Sequence, residues 1–399
     1  MTAGFAIFIC LIFLFIVVGI IVIGVAGWQY HKARPMFLFG ARLDCSPSWQ
    51  HQSFPPLTQV TRSFYRVLKG GWHQTSPSKG FPRTVRRDYS FRASRNGLAR
   101  RKHTVNFTKQ HVTLADGRRL AFAEYGDRHG EPVLEFHGIP GSRLEAWYYD
   151  DAGKKLGARI IGIDRPGFGF SSYKRGYRFL DWPSDVVEFA NTLGLKRFGI
   201  AGISSGSPYA LACARVIPER LKGCAVVSGI SPLKVQGEDL NPWHHVLPAE
   251  ILMAYMAHSV PLLAKIAFRY LLQQIRKDPA RAMTLLMPGA PRSDLELLKD
   301  ERAKWSFQQI VAESSRGGLQ GPIESIGLEV KDWGFSLKDI TMRISIWQGE
   351  VDNVVYPRAA RYMSSTLPNN VLHMVPDAGH LTVVARHAEA VLAELLVAK

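Results

Sequence analysis

Residues 110 onward are predicted to form an α/β domain, a mostly parallel sheet with helices on both faces, on two observations. Short apolar strands alternate with helical segments, and the alternation breaks once before it resumes near the C-terminus. Polar residues able to do chemistry also stand just after strand ends, where open parallel sheets gather it.

In chain order, His111–Leu114 and Leu120–Glu124 read as strands joined by a turn at Asp116-Gly117. Pro132–Phe136 is an apolar strand running into the loop His137-Gly138-Ile139-Pro140-Gly141-Ser142, and a helix with Leu144, Ala146 and Trp147 follows. Ala158–Ile163 is a strand ending in Asp164-Arg165-Pro166-Gly167-Phe168-Gly169. A helix over 182–194, a strand at Arg197–Ile203, a helix over 205–216 and a strand at Lys222–Ser228 complete the first part. Residues 240–316 are helical and punctuated by proline, so 231–340 reads as a helical cap inserted between two strands of one sheet. The alternation resumes with Ile344–Trp347, a helix opened by Pro357, a strand at Val371–Val375 and a last helix near 383–397. The sheet domain is thus split into 106–230 and 341–399.

Composition narrows the function classes. The chain has 399 residues, 46% of them hydrophobic, which excludes a disordered protein. Four cysteines (Cys10, Cys45, Cys213, Cys224) are too scattered for a disulfide scaffold or a zinc cluster. The net charge of +17 suggests nucleic acid only until it is located. Residues 31–110 hold 16 Lys and Arg against Asp44 and Asp88, whereas 111–399 is close to neutral. The basicity belongs to a polar linker over 29–105, without a recognition fold, and nucleic-acid binding is not expected. The linker suits solvent or anionic headgroups.

Ala3–Trp28 is an unbroken run of 26 residues without a charge, Ser, Thr, Asn or Gln. As a helix it would be roughly 39 Å long, enough to cross a bilayer core of about 30 Å with some tilt. A cleaved signal peptide is the rival, since Gly24-Val25-Ala26 offers small residues; no basic residue precedes the run, and it exceeds the usual apolar length. His31, Lys32, Arg34 and Arg42 follow it, so the positive-inside rule places the catalytic part in the cytosol. A single-pass membrane anchor over 3–28 is the expectation.

The chemistry is carried by Gly202-Ile203-Ser204-Ser205-Gly206, a G-x-S-x-G between a predicted strand and a predicted helix. Such a turn lifts the serine oxygen above the sheet, and the glycines leave the space it requires. Ser204 is the candidate nucleophile; Ser205 would need glycine at 203 and 207, where Ile and Ser stand. A serine hydroxyl needs a base, and the order on this architecture is Ser, acid, His. Asp352 follows one late strand and His380 the next. Glu350 and Asp377 are rival acids. Asp352 would fix the imidazole tautomer and His380 would take the serine proton. Two backbone N–H groups should form an oxyanion hole, those of Ser205 and Ile139. His137 and Gly138 support that loop, and Asp164 orders the turn after its strand. The H-x-x-x-x-D of His111 and Asp116 reads as coincidence. No metal spacing or nucleotide loop is present, so neither metal nor cofactor is expected.

With HGIPGS at 137–142, DRPGFGFS at 164–171, GISSG at 202–206, GEVD at 349–352 and DAGH at 377–380, residues 110–399 resemble the α/β-hydrolase fold family. The resemblance implies Ser204, Asp352 and His380 as a triad, with Ile139 and Ser205 as the oxyanion hole. The cap is similar to that of epoxide hydrolases, dehalogenases and many lipases. The first two use an Asp nucleophile, and Ser204 argues against their chemistry. The expectation is a membrane-anchored serine hydrolase of a carboxylic ester, with a lipid or apolar acyl ester as its substrate. An amidase or aminopeptidase, a lyase on the same triad, and a catalytically silent tethered interaction protein are the alternatives.

Overall fold

The computed structural model describes residues 110–235, 238–239, 246, 248–286 and 289–397. The anchor expected over 3–28 and the linker over 29–105 lie outside the described residues. Among the described residues, no helix is long and apolar enough to cross a membrane.

The sheet has eight strands. They are β1 (Gln110–Thr113), β2 (Arg119–Gly126), β3 (Glu131–Phe136), β4 (Ala158–Ile163), β5 (Phe198–Ile203), β6 (Leu221–Val227), β9 (Ile344–Gly349) and β10 (Asn370–Val375). A separate two-stranded ribbon pairs β7 (Lys234–Val235) with β8 (Glu238–Asp239). The sheet order is β1-β2-β4-β3-β5-β6-β9-β10. β1 and β2 pair antiparallel, as do β2 and β4, and every other pair is parallel. Chain order reverses across β3 and β5, so loops leave their C-terminal ends in opposite directions and open a crevice there.

Strand alternation divides the core between two faces. On β5, Phe198 and Ile200 point to one side and Ala201 and Ile203 to the other; on β6, Cys224 and Val226 oppose Ala225 and Val227. The first side packs under α2 (Trp182–Thr192) and α3 (Ser207–Val216) through Trp182, Phe189 and Leu211. The second packs under α1 (Asp150–Leu156) and the last helix, α11 (His380–Val397), through Val383, Val391, Leu392 and Leu395. Both faces are covered, which is why the central strands read as continuous apolar runs. Each such fully buried aliphatic contributes about 1.5–3 kcal/mol.

The segment after β3 differs from expectation. Arg143–Tyr149 winds as a 3-10 helix, and the α-helix begins only at Asp150. Leu144 and Trp147 are three apart, a spacing that suits a three-residue turn as well as an α-turn.

Between β6 and β9 lie α4 (Pro248–Ser259), α5 (Pro261–Lys277), α6 (Pro279–Leu286), α7 (Arg292–Leu297), α8 (Glu301–Ser314) and α9 (Gln320–Leu328). Three of them open on proline, whose missing N–H costs nothing at a helix start. Buried polar links join these helices to the sheet domain. The Arg143 guanidinium binds Asp164 at 2.9 Å and Glu313 of α8 at 3.0 Å, and the Ser142 hydroxyl donates to the Ile310 carbonyl at 3.0 Å. α10 (Pro357–Thr366) covers the last two strands.

Candidate active site

β5 delivers Ser204. Its φ is +49°, a left-handed backbone that side-chain-bearing residues rarely adopt, held by the strand behind it and the helix after it. The flanking glycines are obligatory. A Cβ on Gly206 would stand 1.9 Å from the Phe136 carbonyl oxygen, and one on Gly202 would stand 2.7 Å from the Ala210 Cβ. The turn therefore packs directly on the end of β3.

Asp352 and His380 follow β9 and β10, parallel neighbours on the same side of β5, so the three side chains leave one edge of the sheet. His380 Nδ1 lies 2.8 Å from Asp352 Oδ2. Asp352 is itself held: Oδ1 accepts the N–H groups of Val354 at 2.9 Å and Val355 at 3.0 Å, and Oδ2 accepts Gln348 Nε2 at 2.9 Å. Neither rival, Glu350 or Asp377, hydrogen-bonds or ion-pairs with the imidazole. Burial pulls the His380 pKa down, but the Asp352 carboxylate, by charge and hydrogen bond, with Asp294 and Glu250 behind it, pushes it up to about 9.

The loop after β3 lies against the nucleophile. A Cβ on Gly138 would sit 3.1 Å from the Ser204 Cβ and 3.7 Å from its Oγ. The N–H groups of Ile139 and Ser205 donate to no acceptor among the described residues. Two free donors beside a serine are what an oxyanion hole requires. His137 Nε2 accepts the Arg165 N–H at 3.1 Å, which leaves the proton on Nδ1, and that N–H donates to the Gly138 carbonyl at 2.8 Å. Burial and the neighbouring Arg165 hold the His137 pKa well below its usual value, so the ring stays neutral and braces the loop.

Several further residues shape the site. Glu145 Oε2 accepts the Gly138 N–H at 2.5 Å, and burial pushes its carboxyl up to about 7, against that hydrogen bond and the charge of His380. Ser142-x-x-Glu145 has the form of a helix capping box, a visible signal, but the structure spends both side chains elsewhere. Asp294, from α7, is fully buried and binds the first turn of α11: Oδ1 accepts the Thr382 N–H at 2.9 Å and the Thr382 hydroxyl, and Oδ2 accepts the Leu381 N–H at 3.3 Å. The helix that begins with His380 is thus capped by a residue of the inserted segment. Burial pushes the Glu329 carboxyl up to about 8, against a hydrogen bond from Ser205 and with Glu250 adding to the rise. Burial also raises Glu250, against the charge of His380. Asp164 does more than order its own turn. Besides accepting the Phe170 N–H at 3.0 Å, it accepts the Arg143 N–H at 2.7 Å and pairs with that guanidinium. His111 and Asp116 lie on the antiparallel edge, in β1 and the turn after it, away from the parallel strand ends.

Comparison with known proteins is consistent with this geometry. The family described as alpha/beta hydrolase fold matches residues 131–385. "Bifunctional epoxide hydrolase 2" of Sus scrofa is 25% identical over 301 residues, covering 70% of this chain and 53% of its own length. The chain therefore spans about half the length of the curated relatives of this kind. "(E)-2-((N-methylformamido)methylene)succinate hydrolase" of Acinetobacter baylyi is 31% identical over 123 residues, 30% of this chain and 44% of its own length. Among solved structures, an esterase from Exiguobacterium antarcticum superposes with a TM-score of 0.53 at 18% identity, covering 72% of this chain and 99% of its own. A bromoperoxidase from Bacillus anthracis gives 0.56 at 19%, covering 72% and 100%. At that identity the structural likeness speaks for the fold alone.

Proposed function

Because the chain belongs to the alpha/beta hydrolase fold family, we propose that it is a serine hydrolase that cleaves a carboxylic ester through an acyl-enzyme. The observation that carries this reading is a serine, not a carboxylate, at the strained turn after β5, on the sheet edge that also holds an Asp-bound histidine. Ser204 Oγ attacks the ester carbonyl while its proton passes to His380 Nε2. The carbonyl oxygen becomes an oxyanion facing the Ile139 and Ser205 N–H groups. The C–O bond to the alcohol breaks, and the imidazolium returns the proton to the departing alkoxide. Water, deprotonated by His380, then releases the acid and restores Ser204.

The likeness to epoxide hydrolases does not extend to their reaction. Opening an epoxide with a serine oxygen leaves a dialkyl ether, which water does not cleave under enzymatic conditions, whereas an aspartyl ester does hydrolyse. The proposal keeps the apolar run at 3–28 as a membrane tether with the catalytic part cytosolic, and takes apolar acyl esters as substrates; the run and the apolar residues of the cap support both.

The test is labelling of the full chain by a fluorophosphonate probe. Wild type should label and hydrolyse p-nitrophenyl esters, and Ser204→Ala should do neither. Full labelling of that variant rejects Ser204 as nucleophile.

A further inference from the structure

Two arginines of the core are completely buried, and they are treated differently. Arg143 is paired with Asp164 and Glu313. Arg165, also 0% exposed, makes no ion pair with a carboxylate among the described residues. A buried guanidinium without such a partner is costly and calls for a use. Two of its hydrogen bonds go to backbone carbonyls and one to a hydroxyl, while Nε has no hydrogen-bond partner among the described residues. Nη2 donates to Gly138 O at 3.1 Å, and Nη1 donates to Ser205 O at 3.2 Å and to Ser325 Oγ of α9 at 3.1 Å. The rings of Phe168 and Tyr209 lie over its two sides, at 4.7 and 4.6 Å from their centroids.

Gly138 and Ser205 bracket the expected oxyanion hole. The Gly138 carbonyl and the Ile139 N–H belong to one trans peptide, so they point in opposite directions. Whatever holds the carbonyl aims the N–H. Two donors hold it, Arg165 Nη2 and the His137 Nδ1–H. On the preceding peptide, Glu145 holds the Gly138 N–H. The other contact holds the Ser205 carbonyl, on the peptide after the second donor; the Ser205 N–H shares its peptide with the Ser204 carbonyl, which the Ser207 hydroxyl holds at 2.8 Å, so here Arg165 braces the turn around that donor.

We propose that Arg165 is a positioning residue that aims the Ile139 oxyanion donor and braces the turn that carries the Ser205 donor, and that Ser325 makes this setting depend on the seating of the cap. The Tyr209 hydroxyl, 3.1 Å from the Ser325 hydroxyl, completes the link. The proposal rests on the serine-ester reading above and adds to it the group that prepares the hole. A paired structural arginine would only stabilise the fold. An arginine whose donors end on the carbonyls of Gly138 and Ser205 changes how well a transition state is held relative to a substrate.

The experiment uses the full chain with Arg165→Met, Arg165→Lys and Ser325→Ala. Each preparation is first titrated with a fluorophosphonate, so rates are expressed per competent site. With a p-nitrophenyl ester, Arg165→Met should lower kcat about 100-fold with KM within about 3-fold, the pattern of lost oxyanion stabilisation. A trifluoromethyl ketone, whose adduct with Ser204 places an oxyanion in the hole, should weaken in parallel with kcat. Arg165→Lys, reaching one carbonyl rather than two, should recover part of the loss. Ser325→Ala should shift kcat and ketone affinity together, by less than about 10-fold. Where Arg165→Met does not fold, the Lys and Ser325 variants decide. Unchanged kcat per site in the variants, or equal loss in KM and ketone affinity, overturns the proposal. A wild-type chain that refuses the fluorophosphonate refutes the serine-hydrolase reading instead.

Discussion

Asp294 offers the sharpest test of how the inserted helices support the site. Its carboxylate accepts two backbone N–H groups and one hydroxyl from the first turn of α11. The space is tight: a Cβ on Gly379 would stand 2.4 Å from Asp294 Oδ2. Leu381 and Thr382 are 9% and 2% exposed, so water cannot replace the lost acceptor. Asp294→Ala then removes a helix cap worth about 1 kcal/mol and strands a buried donor at a cost of about 1–2 kcal/mol more, for a total near 2–3 kcal/mol. Urea denaturation should show a lower midpoint with an unchanged slope. Asp294→Asn separates charge from shape. The negative charge of Asp294 helps raise His380, whose base form appears only as pH rises through about 9. Asp352, Glu250 and Asp294 all face that ring with the same sign, so removing one lowers the midpoint of the rising limb of kcat/KM. The Asn variant should reach its plateau at lower pH than wild type while being less stable. A stability change under about 0.5 kcal/mol for Asp294→Ala, or a midpoint that moves upward in the Asn variant, would refute the reasoning.

Other outcomes follow from the same geometry. Asp352→Asn should lower kcat by about 10³–10⁴-fold, measured per fluorophosphonate-titrated site, because the His380 tautomer and orientation lose their anchor. Gly138→Ala, whose new methyl would press on the Ser204 Cβ at 3.1 Å, should fold and lose about 10–100-fold in kcat; normal turnover would show that the loop yields. Gly206→Ala meets a backbone oxygen rather than a side chain, so it should cost more than about 3 kcal/mol or prevent soluble expression, and a wild-type melting temperature would contradict the packing of the turn on β3. The His380–Asp352 pair should make stability pH-dependent. A pKa raised from 6.5 to about 9 favours the folded state fully below pH 6.5 and loses that contribution as pH rises to about 9. Denaturation midpoints should therefore fall between pH 6.5 and 9 in wild type and fall less in Asp352→Asn.

What the sequence discloses and what it withholds divides along contact range. Ala158–Ile163 is found with the boundaries expected, because a strand buried on both faces needs only an apolar run between turn residues. The position of Ser204 is legible for a similar reason, since the glycines that permit its backbone are its neighbours at 202 and 206. Arg165, Glu145 and Asp294 are different. Asp294 and Arg165 take their tasks from partners folded in from elsewhere, Thr382 lying 88 positions from Asp294 and Ser325 160 from Arg165, whereas Glu145 reaches only seven residues back to Gly138 but not in the capping geometry its spacing suggests. No period or propensity encodes such pairs. Glu135 makes the point from the opposite direction. It sits in β3 among apolar residues at 0% exposure, and neither carboxyl oxygen has a partner among the described residues. Burial first, and then the charge of Glu145, raises its pKa well above the ordinary carboxyl value, against the charge of Arg165. An apolar strand pattern gives no sign of it, and the cost of burying its charge is what lifts the pKa. Burial raises both acids, Glu145 to about 7. Glu145 has the Gly138 N–H and the field of His380 to hold a charge, and Glu135 has neither. The Gly138 N–H that Glu145 accepts thus ties the loop after β3 to the titration of this carboxyl.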